Sequence, residues 1–297
     1  MIYILGHGRS GSTILHSLLA QISGFVGVGE LRTLLDPGVV ENGRCGCGLP
    51  IHECAVWSRV LGVSPGLLDT AGWPLNMVVR DRYLPLMWYP IRKVFLRSFL
   101  RDHSERVSQL YQAIHMITRS RVIVDSSKSV AYAAFLNQVP GITPYFIHIV
   151  RDPRGVEYSL RRRKEAHVKG FANHTPRKGA LAWSIINVST EAFGSRVSGR
   201  YLRLRYEDFV QDPTGALTRI LSWASEPDVE IPVIEGQRVH LDIVHSIAGN
   251  AKRFEHGDIQ LKLDERWKSD LPPRDRKLVA LLTFPLLKRY GYPIAAS

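Results

Sequence analysis

Apolar residues fall along this chain in short unbroken runs, separated by longer stretches with helical spacing. Met1-Ile2-Tyr3-Ile4-Leu5, Gly24 to Gly29, Arg121-Val122-Ile123-Val124 and Tyr145-Phe146-Ile147-His148-Ile149-Val150 are strand-length, mainly apolar runs. That pattern belongs to parallel strands covered on two sides. Between them, Ile14, Leu15, Leu18 and Leu19 recur at helical spacing, and so do Ala182, Trp183 and Ile186 within residues 178–193. Residues 200–206 alternate like a strand, 214–225 form a further helix, and the last helix spans 273–290. Strands alternating with helices predict an α/β protein. Its expected architecture is a three-layer, P-loop-like fold with a central, mainly parallel sheet between helices.

Two stretches break the rhythm. Residues 36–65 are rich in glycine and cysteine and irregular, and residues 65–119 are mainly helical. With no linker rich in Pro, Gly and Ser, no repeat and no low-complexity segment, the expectation is one domain over residues 1–297 carrying a helical insertion at about 65–119. The insertion places Arg80, Arg82, Arg92, Arg97 and Arg101 beside Trp88, Tyr89, Phe95 and Phe99. An amphipathic cover with a solvated basic face is the plainer account. A lid that selects an acidic or lipid-linked acceptor is the sharper one, and it leaves peripheral membrane contact open.

The strongest local signal joins the first strand to the first helix. Gly6-His7-Gly8-Arg9-Ser10-Gly11-Ser12-Thr13 follows the spacing of the nucleotide loop G-x-x-x-x-G-K-[ST], except that Ser12 stands at the lysine. Loop amides and a helix N-terminus converge there on an anion. Without the lysine, such a loop grips one phosphate through amides, hydroxyls and Arg9, and is poorly equipped for a triphosphate with its metal.

A second anion site follows the strand 145–150. Arg151-Asp152-Pro153-Arg154 opens a helix with Pro153 in its first turn, and Ser159 can return its hydroxyl toward the ligand of Arg151. Other strand exits carry Glu30 (in Gly29-Glu30-Leu31-Arg32) and Lys128 (in Asp125-Ser126-Ser127-Lys128). In an open α/β sheet those exits face one crevice. Tyr206 can lie along a purine or pack in the core.

Composition then narrows the partner. A net charge of +12 suits an anionic ligand, but no nucleic-acid-binding signature accompanies it and the arginines cluster at strand ends. No nucleic-acid partner is expected. No uncharged apolar run reaches membrane-spanning length, and Met1 leads directly into a strand, so the expected location is cytoplasmic. Cys45, Cys47 and Cys54 lie close together, but their spacing is not a strong zinc signature; free thiols are favoured and no metal is assigned.

With both phosphate loops in place, most of the chain resembles sulfotransferases that use 3′-phosphoadenosine 5′-phosphosulfate (PAPS). The segments 125–128 and 249–254 look like the bacterial, carbohydrate-type branch. The resemblance implies that Gly8, Arg9, Ser10, Gly11, Ser12 and Thr13 hold the 5′-phosphosulfate. It implies Arg151 and Ser159 on the 3′-phosphate, with Arg253 as a helper, and Tyr206 near the adenine. Lys128 matches the lysine near the bridging oxygen, and Arg9 joins it in neutralising charge. Glu30 resembles the catalytic glutamate of tyrosylprotein sulfotransferases. Cytosolic relatives place a histidine shortly after the lysine, where this chain has Ser129 and Val130, which favours Glu30 as general base, with His7 next in line. No metal is required in that chemistry. The acceptor would be a hydroxyl of a carbohydrate, lipid-linked saccharide or secondary metabolite; an amine acceptor and the oligomeric state stay open. Two other classes remain: a small-molecule kinase with a degenerate loop, and a non-catalytic polyanion-binding module.

Overall fold

A computed structural model describes residues 1–35, 37–63, 92–168, 170–226, 228–232 and 234–294. In chain order its strands and helices are β1 (Ile2–Leu5), α1 (Ser12–Leu19), β2 (Phe25–Gly29), α2 (Pro37–Asn42), α3 (Trp57–Gly62) and α4 (Arg92–Thr118). There follow β3 (Val122–Lys128), α5 (Val130–Leu136), β4 (Tyr145–Val150), α6 (Pro153–Glu165), α7 (Pro176–Gly194) and β5 (Tyr201–Arg205). The last part holds α8 (Tyr206–Gln211), α9 (Pro213–Trp223), β6 (Ile234–Glu235), β7 (Arg238–Leu241), β8 (Gly257–Gln260), α10 (Trp267–Asp270) and α11 (Pro273–Arg289).

The main sheet has the order β2-β3-β1-β4-β5, with every pairing parallel. Alternation along each strand divides its side chains between two cores. Tyr3, Leu5, Ile123 and Phe146 face α3, α4 and α5 through Trp57, Leu110, Ile114 and Tyr132. Ile2, Ile4, Val124, Ile147 and Ile149 face α1 and α9 through Leu15, Leu18, Leu217 and Ile220. This is the expected three-layer arrangement, and the unbroken apolar runs are its cause.

The structure departs from the sequence expectation in three places. The irregular stretch after β2 contains α2 and α3. Tyr206, expected to end a strand, begins α8 instead. Beyond α9 the chain forms a small antiparallel sheet, β6-β7-β8, that the sequence pattern did not reveal. Of the helical insertion, α4 is described from Arg92 onward. Residues 64–91, with Arg80, Arg82, Trp88 and Tyr89, lie outside the described residues, as do the side chains of residues 92–102.

Two irregularities aim the strand ends. Register shifts interrupt β1–β3 pairing between Tyr3 and Leu5, and β2–β3 pairing between Gly27 and Gly29. At the end of β3, Lys128 adopts φ 65°, a left-handed conformation that L-residues rarely take. Together they turn Glu30 and Lys128 out of the sheet at adjacent positions.

Candidate active site

The exits of β1, β2, β3, β4 and β5 open onto one cleft of about 1170 Å³, large enough for a nucleotide-sized ligand. Its walls include Gly8, Arg9, Gly11, Ser12, Thr13, Glu30, Lys128, Arg151, Ser159 and Tyr206. The sequence-derived residues therefore converge, apart from Ser10, which is buried within the loop, and Arg253, which is treated below.

Around the first loop the backbone is tightly constrained. Gly11 has φ 90°, and a Cβ there would lie 2.3 Å from Cδ2 of Tyr206. Only glycine fits, so the ring of Tyr206 and the loop close on each other at the mouth of α1. Arg9 itself sits at φ 74°, a strained placement that carries its side chain across to α6. Its Nε donates to the Ser159 hydroxyl at 2.7 Å. Ser159, expected to serve the ligand of Arg151, thus pairs with Arg9 in this structure.

Arg151 is buried and adjoins the same loop. One guanidinium nitrogen donates to the Arg9 carbonyl at 3.1 Å, and another to the Asp264 carbonyl at 3.2 Å. The guanidinium carbon lies 4.7 Å from the centroid of the Tyr206 ring, a cation–π distance. Arg154, the second arginine of that motif, is structural: it is fully buried and paired with Asp152 at 2.6 Å, while Asp152 caps α6 through the Arg154 amide at 2.9 Å. One short segment therefore divides into a framework pair and a cleft-lining arginine.

Electrostatically the cleft is set for an anion. Burial lowers the pKa of Arg9, and the neighbouring positive charges of Arg163, Arg151 and Arg162 lower it further. Arg162 and Arg163 also line the cleft, a contribution the sequence showed only as a basic run. Asp264, missed in the sequence, is the acidic counterweight, 3.6 Å from Arg151. Its carboxyl is held below the usual range by Arg266 and Arg151 against the opposing effect of burial. Two buried polar atoms here, the Ser10 hydroxyl and Arg163 Nε, have no hydrogen-bond partner among the described residues. A phosphate or sulfate oxygen supplies the acceptors such groups lack.

Also lining the cleft, the Lys128 ammonium donates to Oε1 of Glu30 and, at 3.1 Å, to the Ser126 carbonyl. The Glu30 amide donates to the Ile247 carbonyl at 2.8 Å, and a Cβ on Gly249 would lie 3.1 Å from Glu30 Oε1. The segment 246–250 thus forms the wall behind Glu30. A residue not singled out in the sequence, His16, buttresses the same strand exit: its Nε2 accepts the Gly29 amide at 2.9 Å. Burial pushes its pKa down to about 4, so the ring is neutral and serves as an acceptor.

Arg253, expected to assist Arg151, makes its hydrogen bonds elsewhere. Its guanidinium donates to the carbonyls of Gly249 and Arg44, both at 3.3 Å, and the negative charge of Glu30 acts on it. It belongs to the Glu30 wall because residues 249–254 fold against that end of the sheet. His7 is buried, with Nδ1 2.7 Å from the Gly8 carbonyl, and desolvation lowers its pKa.

Fold and site together define a P-loop-like α/β protein in which the loop after β1 and Arg151 line one cleft. A family model described as "Sulfotransferase family" matches residues 85–230. No curated protein matches the chain. Among solved structures, the sulfotransferase domain from the Synechococcus PCC 7002 olefin synthase is similar, with a TM-score of 0.57 and 21% identity, covering 99% of this chain and 94% of that one. The sulfotransferase domain from the curacin biosynthetic pathway is similar at TM-score 0.58 and 20% identity, covering 99% and 98%. These two likenesses show the fold.

Proposed function

We propose that this protein transfers the sulfuryl group of PAPS to a hydroxyl of a carbohydrate, lipid-linked saccharide or secondary metabolite. The observation that carries the reading is the meeting of Arg9, Arg151, Ser159 and the Glu30–Lys128 pair in one cleft. A donor with anionic groups at both ends of one adenosine asks for that arrangement.

In this reading the amides at the start of α1, with Arg9, Ser10, Ser12 and Thr13, hold the 5′-phosphosulfate. Arg151 and Ser159 receive the 3′-phosphate, and the Tyr206 ring borders the adenine. Glu30 removes the proton from the acceptor hydroxyl as its oxygen bonds to sulfur. As the bond from sulfur to the bridging oxygen breaks, Lys128 and Arg9 neutralise the charge left on the departing phosphate. Positioning and charge stabilisation carry most of the rate, as in phosphoryl transfer. The Glu30–Lys128 ion pair supports these roles, because it brings the two groups together at the strand exits.

The test is direct. The purified chain is titrated with 3′-phosphoadenosine 5′-phosphate, and turnover is measured with labelled donor and extracts of the source cell. Saturable binding that Arg151→Ala abolishes, together with sulfate incorporation into an extract component, is the expected result. Absence of nucleotide binding by the intact chain would overturn the reading.

A further inference from the structure

Outside the cleft, the fold assembles a second cluster from residues far apart in the chain. Cys45, Cys47 and Cys54 meet His245, and their four ligand atoms all lie within 4.8 Å of one another. Cys54 Sγ is 3.5 Å from Cys45 Sγ; His245 Nδ1 is 3.2 Å from Cys54 Sγ and 3.7 Å from Cys45 Sγ. A zinc tetrahedron with Zn–S bonds of about 2.3 Å and a Zn–N bond of about 2.0 Å has edges of about 3.8 Å between sulfurs and about 3.5 Å from sulfur to nitrogen. The three separations among Cys45, Cys54 and His245 fall within about 0.3 Å of those edges, and Cys47 Sγ lies within 4.8 Å of all three. We infer that Cys45, Cys47, Cys54 and His245 form a structural Zn²⁺ site that clamps residues 45–54 to the wall behind Glu30.

The local backbone is built for such a knuckle. Cys45 and Cys47 sit on a tight turn in which the Gly48 amide donates to the Cys45 carbonyl at 2.9 Å, and the Cys45 amide to the Leu49 carbonyl at 2.8 Å. Gly48 takes φ 87°, while a Cβ on Gly46 would lie 2.1 Å from the Val244 carbonyl oxygen. Those glycines let the turn reverse and press against residues 244–247. On the other side, Trp57 Nε1 donates to the His245 carbonyl at 2.7 Å, fixing the backbone that carries the imidazole. Cys45 and Cys54 are buried, Cys47 and His245 partly so. Four protein donors of Cys₃His type close the coordination sphere, which is the structural rather than the catalytic form of a zinc site.

Spacing alone favours free thiols because the fourth donor lies 191 residues beyond Cys54. Zinc binding would displace the three thiol protons into solvent and leave thiolates bound to the cation. The mechanical effect reaches the cleft. Cys45 bridges Ile247, Ile247 bridges Gly29, and the Ile247 carbonyl accepts the Glu30 amide. The clamp would hold the Glu30 wall rather than the nucleotide loop.

The test uses the intact chain, purified under reducing conditions without chelator. Metal analysis should give one Zn²⁺ per chain, and replacement by Co²⁺ should yield the visible bands of tetrahedral thiolate coordination. Zn²⁺ affinity should fall in Cys47→Ser and His245→Gln by more than the roughly 10–100-fold that loss of an outer partner costs. Cys47 is the less buried thiol, so its variant separates loss of metal from loss of fold. Stripping zinc with a strong chelator should speed hydrogen exchange in peptides covering residues 28–30 and 244–250. Substoichiometric metal that does not rise on titration with Zn²⁺ would overturn the inference. So would a Cys45–Cys54 disulfide in the freshly isolated protein, or zinc retained undiminished by both variants. These readouts do not depend on sulfuryl transfer, so the metal site and the activity can fail separately.

Discussion

Glu30 and Lys128 pair with each other at the strand exits, and they carry the sharpest predictions at the scale of single residues. Glu30→Gln keeps the shape but cannot accept a proton, so turnover at saturating donor should fall by about 10²–10⁴-fold. Affinity for 3′-phosphoadenosine 5′-phosphate, measured by calorimetry, should stay near that of the parent. Normal turnover would move the base elsewhere. Lys128→Ala should lower kcat more than it weakens donor binding, and the reverse split would make it a phosphate binder. His16 makes a different kind of prediction. Its folded pKa of about 4 lies below the ordinary 6.5, so between those values the unfolded chain binds the extra proton. Stability from this group is full above pH 6.5 and is lost as pH falls toward 4, with a slope of up to about 1.4 kcal/mol per unit. Urea unfolding of the parent and of His16→Gln should diverge from a constant difference only inside that window. Subtracting the two curves cancels the opposing titration of Asp125, whose buried carboxyl is raised to about 6.

Among the elements, β1, the loop after it and α1 work as one device, and Gly11 is its tightest point. A Cβ at that position collides with Tyr206 and asks for a left-handed backbone. Gly11→Ala should therefore cost at least about 1–2 kcal/mol from the backbone alone, and also displace Tyr206 from the cleft wall. Chemical denaturation and nucleotide titration should both record the change; a variant with parental stability would contradict the packing described here. The device was legible in the sequence because its causes are local: an apolar run, glycines at fixed offsets and hydroxyls at a helix start. The same holds for β4 with Arg151. The small sheet was not legible, because β6 is Ile234–Glu235 alone and β8 reads Gly-Asp-Ile-Gln with half-exposed alternation. Ser159 and Arg253 were found as ligand-facing candidates, but their neighbours were not. Which guanidinium meets Ser159, and on which side of the cleft Arg253 falls, depends on how α6 and residues 249–254 pack against the strand ends. Asp264 escaped notice for the same reason: nothing near it in sequence signals an arginine 113 residues away.

For the whole molecule, the net charge of +12 acquires a location, since Arg9, Arg151, Arg162 and Arg163 gather at one cleft with Asp264 as their partial neutraliser. Concentrating like charge there opposes folding, so an anion of the right shape should return stability on binding. A ligand that binds only the folded chain adds about 2.7 kcal/mol at a hundred times its Kd. For a chain of this size that corresponds to a rise in Tm of roughly 5 °C. Three function classes then separate in one experiment. A sulfotransferase should be stabilised by 3′-phosphoadenosine 5′-phosphate and hardly by ATP with Mg²⁺. A kinase with a degenerate loop should show the opposite order. A polyanion-binding module should respond to heparin or nucleic acid with steep salt dependence and no nucleotide preference. If both phosphates of the bisphosphate nucleotide meet arginines, as proposed, its Tm shift should shrink as salt is added, yet persist where that of inorganic sulfate has vanished. Arg9 and Arg151 lie side by side, with Arg151 donating to the Arg9 carbonyl, so a ligand that spanned both would be held through covalently linked anions that two separate ions cannot imitate. Arg151→Ala should remove that advantage and bring the nucleotide down to the behaviour of a simple anion.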